Sequence, residues 1–183
     1  MKNLQARTQN QKGFTLVEIA IVLVIIGLLL GGVLKGQELI ENSKVKSVTQ
    51  DFDNIAAAYW AYRDRTGNSA GDADGDGTFS TTEFWTDLRE EGFISGLATD
   101  TTGPGHALDG SFSFVLGAAT GAMFTKNHLC GSQIEDSIAV NIDNKLDDGV
   151  GTSGTVKAGA AVTTAAAHAD PSTGALLFVC KEL

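Results

Sequence analysis

Between Ile19 and Leu34 the chain carries no charged side chain, and that run limits what it can fold into more than any other feature. The stretch from Phe14 to Leu34 is 21 residues long and almost wholly apolar. At 1.5 Å per residue, a helix of that length covers about 31 Å, enough to cross a bilayer core. Before it stand Lys2, Arg7 and Lys12 with no acid among the first thirteen residues, so the lead should stay cytoplasmic and the body be sent outward. A removable secretory signal would show a shorter apolar core followed by a small-residue cut site. Here the run ends in Gly31-Gly32-Val33-Leu34-Lys35-Gly36 and passes into a helical pattern. Glu18 is the anomaly. A carboxylate in a membrane span costs ~2.5 kcal/mol or more at the centre and less near the edge, so it reads as functional and calls for a cationic partner. A cut before Phe14 would create an ammonium at about the same depth.

Lys12-Gly13-Phe14-Thr15-Leu16-Val17-Glu18 resembles the prepilin cleavage and methylation motif: a basic residue, Gly before the cut, Phe after it, and Glu as fifth residue of the processed chain. The resemblance implies that prepilin peptidase, a membrane aspartyl peptidase, cuts after Gly13 and N-methylates Phe14. It implies that Glu18 neutralises the terminal amine of an adjacent subunit during assembly, and that the partners are copies of the same chain in a helical filament together with inner-membrane assembly machinery. The fold it implies is α+β and type IV pilin-like, a long N-terminal α-helix packed on a small antiparallel β-sheet head. The expected organisation is a leader over 1–13, a membrane or filament-core half-helix over 14–36, an amphipathic half over 37–66 and a head over 67–183. The expected location is the bacterial inner membrane for the precursor, then an extracellular pilus or a periplasm-spanning pseudopilus.

Helical spacing continues past the apolar run. Val45, Val48, Phe52, Ile55, Tyr59 and Tyr62 recur at intervals of three and four and form one stripe, the mark of a helix with one buried face. Gly67 is placed to end it after Thr66, and one helix from Phe14 to there would be ~80 Å long. Gly27, Gly31, Gly32 and Gly36 weaken it by ~1 kcal/mol each relative to Ala, while their G-x-x-x-G spacings permit close helix approach. Many pilins carry a helix-breaking proline in this region; this chain has its prolines at Pro104 and Pro171, so partial unwinding near Gly27–Gly36 stays an open alternative beside close packing as the first use of the glycines. In the head, Phe84 to Ile94 predicts a short amphipathic helix, and Phe112 to Leu116, Ala122 to Thr125 and Leu176 to Cys180 predict strands. Ile134, Ile138, Ile142 and Leu146 fit one helix face. Residues 151–169 read as loops and strand edges.

Asp72-Ala73-Asp74-Gly75-Asp76-Gly77-Thr78-Phe79-Ser80-Thr81-Thr82-Glu83 follows the D-x-D-x-D-G-x5-E calcium-loop pattern. Alternating aspartates turn three carboxylates inward and Gly77 permits the sharp bend. Thr78 would offer its carbonyl, Ser80 a water-mediated contact and Glu83 a bidentate carboxylate. Hard oxygen donors without His or Cys point to Ca²⁺ as a structural ion over a transition metal. The competing reading is a solvated acidic turn, since Asp and Gly are common turn residues. Residues 67–71 cannot supply an entering helix, so the expectation is a lone loop and not a paired EF-hand sensor. Asp143, Asp147 and Asp148 form a second acidic stretch that matches no ligand template and reads as a helix end and turn.

The formal charge is −9, which argues against binding nucleic acid through its phosphates. Cys130 and Cys180 are not in a C-x-x-C, so metal and redox-pair readings are poorly supported. In an exported protein one disulfide closing the C-terminal third is the simple reading, whereas two unpaired buried thiols would need a reducing compartment. His106, His128 and His168 are scattered, and no catalytic constellation or phosphate-cradling loop is present; the chain is not expected to be an enzyme. Tyr59 and Tyr62 read as core, with Trp60 off the stripe. The leading expectation is a type IV pilus subunit. The alternatives are a type II secretion pseudopilin, a minor pilin and, from another class, a membrane-anchored calcium-binding protein that does not polymerise.

Overall fold

The computed structural model describes residues 13, 15–117, 123–162 and 175–183. Its elements run α1 (Leu16–Thr66), α2 (Glu83–Glu90), β1 (Phe112–Val115), β2 (His128–Glu135), α3 (Asp136–Leu146), β3 (Val156–Gly159) and β4 (Leu176–Glu182). The chain divides into two compact units, Met1–Glu41 and Asn42–Leu183. The long N-terminal helix and small antiparallel sheet make the α+β arrangement that the pilin resemblance predicts.

In the first unit the described residues are essentially one apolar helix, α1 from Leu16 onward, and its large side chains are exposed. By length and composition α1 is long and apolar enough to cross a membrane.

The second unit is organised around the later turns of α1. Val45, Val48, Phe52, Ile55, Tyr59 and Tyr62 are all buried, joined by Ala58, so the stripe at three- and four-residue intervals is the core face. The helix stops where predicted: Gly67 takes φ +81°, a left-handed conformation that glycine adopts without a side-chain penalty, and its N–H still reaches the carbonyl of Arg63 at 2.9 Å. Trp60 lies off the stripe and is exposed.

The four strands form an antiparallel sheet in the order β1-β2-β4-β3. One face belongs to the main core, with Phe112, Phe114, Leu129, Ile134, Val156, Ala158, Leu177 and Val179 clustered with the α1 stripe. Aromatic rings link the elements. Phe52 meets Phe112 edge-on at 4.9 Å, and Phe84 of α2 stacks on Phe114 at 4.0 Å and on Tyr59 at 5.9 Å. Arg89 of α2 is buried and donates to the carbonyls of Ser95, Asp100 and Thr102, which pins the chain that follows α2.

Three local expectations are corrected. The amphipathic helix ends at Glu90 and not Ile94; Phe93 and Ile94 turn back so that both N–H groups meet the carbonyl of Leu88. Met123, Phe124 and Thr125 are bends and not a strand, and Ala122 lies outside the described residues. Ile134 belongs to β2 and not to α3. The register of β2 against β4 shifts between Gly131 and Ile134, where Gln133 adopts φ +59°, and such a bulge breaks the two-residue alternation that marks a strand in sequence. Within the stretch read as loops and strand edges, residues 156–159 form a paired strand, and residues 163–169 lie outside the described set.

Candidate functional site

At the start of α1, Thr15 and Glu18 bind each other reciprocally. The Thr15 N–H and hydroxyl both donate to Oε2 of Glu18, at 2.8 and 2.9 Å, and the Glu18 N–H donates to Oγ1 of Thr15 at 3.3 Å. This is a capping box, which satisfies amide groups that the first helical turn leaves without intrahelical partners. The T-x-x-E spacing that signals it is present in the sequence, and reading Glu18 only as an intermolecular partner missed it. Gly13 is exposed; Phe14 and Lys12 lie outside the described residues.

The acidic loop is built from successive backbone-to-carboxylate bonds. Asp72 accepts the Gly77 N–H at 3.2 Å, Asp74 the Asp76 N–H at 3.3 Å and Asp76 the Thr78 N–H at 2.6 Å. Gly77 makes the sharp bend at φ +86°. These turns bring carboxylate oxygens of Asp72, Asp74 and Asp76 within 4.8 Å of one another. The loop is closed at its base, where the Ser80 N–H donates to the Gly71 carbonyl at 2.7 Å and the Gly71 N–H donates to Oδ2 of Asp87 at 2.7 Å. Burial pushes the Asp87 carboxyl above the usual range, against the Gly71 N–H. Glu83 begins α2, with its N–H on Oγ of Ser80 at 3.3 Å. The structure therefore brings together the three aspartates; Thr78, Ser80 and Glu83 follow them in the loop and helix start but are not part of that carboxylate group. All the donors are hard oxygens, which suit a divalent cation such as Ca²⁺.

The second acidic stretch behaves as a helix end and turn. Asp147 accepts the N–H groups of Thr155 and Val156, and Asp148 accepts the Val150 N–H and the Ser153 hydroxyl. Asp143, Asp147 and Asp148 do place carboxylate oxygens within 4.8 Å of one another, with Asp143 buried. Cys130 and Cys180 form a disulfide directly across β2 and β4. His106 is part-buried, with Nε2 at 3.0 Å from the Ser132 carbonyl and Nδ1 accepting the Leu108 N–H; burial lowers its pKa. His168 lies outside the described residues.

No curated protein and no solved structure matches this chain. A family model described as the prokaryotic N-terminal methylation motif matches residues 8–34, which include the capped helix start and the charge-free run. That motif, at the head of a helix long and apolar enough to span a membrane, fits a prepilin-type protein.

Proposed function

We propose that this chain is a structural subunit of a type IV pilus, cut after Gly13 and N-methylated at Phe14 by prepilin peptidase, then polymerised through α1. The observation that carries this reading is the methylation motif at residues 8–34 joined to a helix whose large apolar side chains are exposed from Leu16 to Ile40. Such a surface requires a non-aqueous cover. Lipid supplies it for the precursor and neighbouring helices supply it in a filament, where Gly27, Gly31 and Gly32 let backbones approach. The decisive experiment is the N-terminal mass of this protein in material sheared from the surface of the source cells. Abundant chain beginning at N-methylated Phe14 is the expected result. Processed chain confined to the membrane would favour a pseudopilin or minor pilin, and an uncut terminus would overturn the reading in favour of a non-polymerising anchored protein.

The acidic loop is assigned in the same reading to a structural Ca²⁺ held by Asp72, Asp74 and Asp76, with Thr78, Ser80 and Glu83 completing the set. Support comes from the twelve-residue spacing and the three gathered carboxylates, which repel one another without a cation. A soluble fragment beginning at Gln37 is expected to melt several degrees lower in a calcium chelator, with an apparent affinity of about 10⁻⁴–10⁻³ M, as in extracellular modules. Identical melting with and without calcium would reduce the loop to a solvated turn.

A further inference from the structure

Beside α1 the second unit holds a cavity of about 240 Å³ whose lining is chemically divided. Asp51 and Asn54 of α1 supply a polar side, while Phe93 and Ile94 after α2, with Pro104 and Phe112, supply apolar walls. Sites that enclose a drug-sized molecule run to about 300–1,000 Å³, so the size of this one suits a single side chain. Asp51 is part-exposed, and among the described residues its carboxylate makes no hydrogen bond and no ion pair. Burial raises its pKa above the ordinary 3.8, and the opposing pull of His106 is the smaller effect. A carboxylate drawn partly out of water gains from a cationic partner.

Cations of the same chain near these walls are engaged elsewhere. Lys181 pairs with Asp53, and Arg65, which lies over the Phe93 ring, pairs with Glu91. Lys44, Lys46 and Lys145 are exposed and carry no ion pair among the described residues. Lys44 and Lys46 precede Asp51 by seven and five positions, outside the three- or four-residue spacing at which side chains of one helix meet. Seven residues return almost to the same side of the helix, whereas five carry Lys46 about 140° round it from Asp51. Identical subunits joined head to tail use different patches of their surface, so the lysine on another side of α1 is the one a neighbour presents. Lys145 stands beside Asp147 and Asp148, whose like charge opposes approach to Asp51.

We propose that Lys46 of a second copy of this chain enters the cavity and pairs its ammonium group with Asp51, its methylene stem lying against the apolar walls. Lysine buries its stem on apolar surface while its charge finds a polar group, and the side-chain carbonyl of Asn54 offers a second acceptor. The contact rests on the reading that the chain polymerises, and it places one recognition element on the second unit, apart from the wholly apolar turns of α1. Its role is orientation: an ion pair in a shaped cavity fixes how one subunit sits against the next, which exposed apolar side chains by themselves leave loosely specified.

The test treats sheared wild-type filaments with a zero-length carbodiimide, which joins a carboxylate to an amine only where the two touch. The cross-linked dimer band is then digested and read by mass spectrometry. An Asp51–Lys46 isopeptide in that dimer is expected. A dimer joined only through other pairs, Lys44 or Lys145 on Asp51 included, would overturn the proposal, as would the absence of any link at Asp51. Asp51→Asn and Lys46→Gln are each expected to lower filament yield at least about tenfold with the cut after Gly13 unchanged, and the double variant to lose no more than either alone, as for two groups that act on each other. Additive losses, or wild-type yield from either variant, would equally overturn it. A wild-type chain that forms no filaments would bring down the polymerisation reading and this contact together; filaments without the Asp51–Lys46 link would bring down this contact alone.

Discussion

The earlier and later turns of α1 share one backbone conformation and put their apolar side chains to opposite uses. Leu16 and Leu28 are 86% and 73% exposed, whereas Val48 and Phe52 are at 0%. The later turns are apolar on one stripe, and the core of the second unit covers that stripe. The earlier turns are apolar all round, and their large side chains are exposed. Glycine tells the same story. A Cβ added at Gly27, Gly31, Gly32 or Gly36 would meet nothing within 4 Å, while one at Gly103 would collide with the Phe112 carbonyl at 1.8 Å. The head glycine is required by contacts inside the chain. The four helix glycines lower helix stability by about 1 kcal/mol each, and no contact among the described residues requires them; in the proposed filament their benefit is the close approach of neighbouring helices.

The sharpest way to break this contrast is at Glu18, which is both a helix cap and the acid of the methylation motif. Glu18→Ala is expected to abolish sheared surface filaments while leaving the processed chain in the membrane. Glu18→Gln keeps an acceptor for the Thr15 N–H but removes the charge. Filaments should still be lost with it; filaments restored by Gln would make Glu18 a cap and nothing more. The next contrast separates the two uses of apolar surface. Phe52→Ala is expected to destabilise the full chain in detergent by about 3–5 kcal/mol, from lost burial and the cavity left behind. Ile25→Ala should leave melting of the second unit unchanged and act on filament yield alone. Equal losses of melting temperature from both would dissolve the distinction.

A smaller effect sharpens the account of the second unit. Burial lowers the folded-state pKa of His106 and His128 below the ordinary value of 6.5. Each stabilises the fold fully above pH 6.5, and that stability is lost as pH falls from there towards the folded value, because the unfolded chain takes up the proton first. Raised carboxyls at Asp51 and Asp87 act in the opposite sense, with stability rising as pH falls through their folded values above 3.8. Melting between pH 7.5 and 6 should therefore decline slightly for wild type and less for His106→Gln. An unchanged pH slope in the variant would remove His106 from the account.

Much of this molecule was legible in its sequence because the determinants are local. The charge-free run, the three- and four-residue stripe, Gly67 after the last turn, and the D-x-D-x-D-G spacing each depend on neighbours a few positions away, and backbone periodicity converts that spacing into a face or a turn. The T-x-x-E cap was equally local and was hidden only by the stronger pull of Glu18's other reading. With two cysteines, the pairing of Cys130 with Cys180 left a single intrachain choice.

What the tertiary structure decided is what depends on partners far away along the chain. Whether Ile134 joins a strand or a helix rests on β4, forty-odd residues later, and on a bulge that erases the alternation by which β2 would have announced itself. The placing of Cys130 directly opposite Cys180 follows from that same register. Local sequence determined which segments form a helix, a cap and an acidic turn, because those are sums of nearest-neighbour effects. Only long-range pairing determined which side chains share a face of the sheet, because a one-residue change of register exchanges one face for the other.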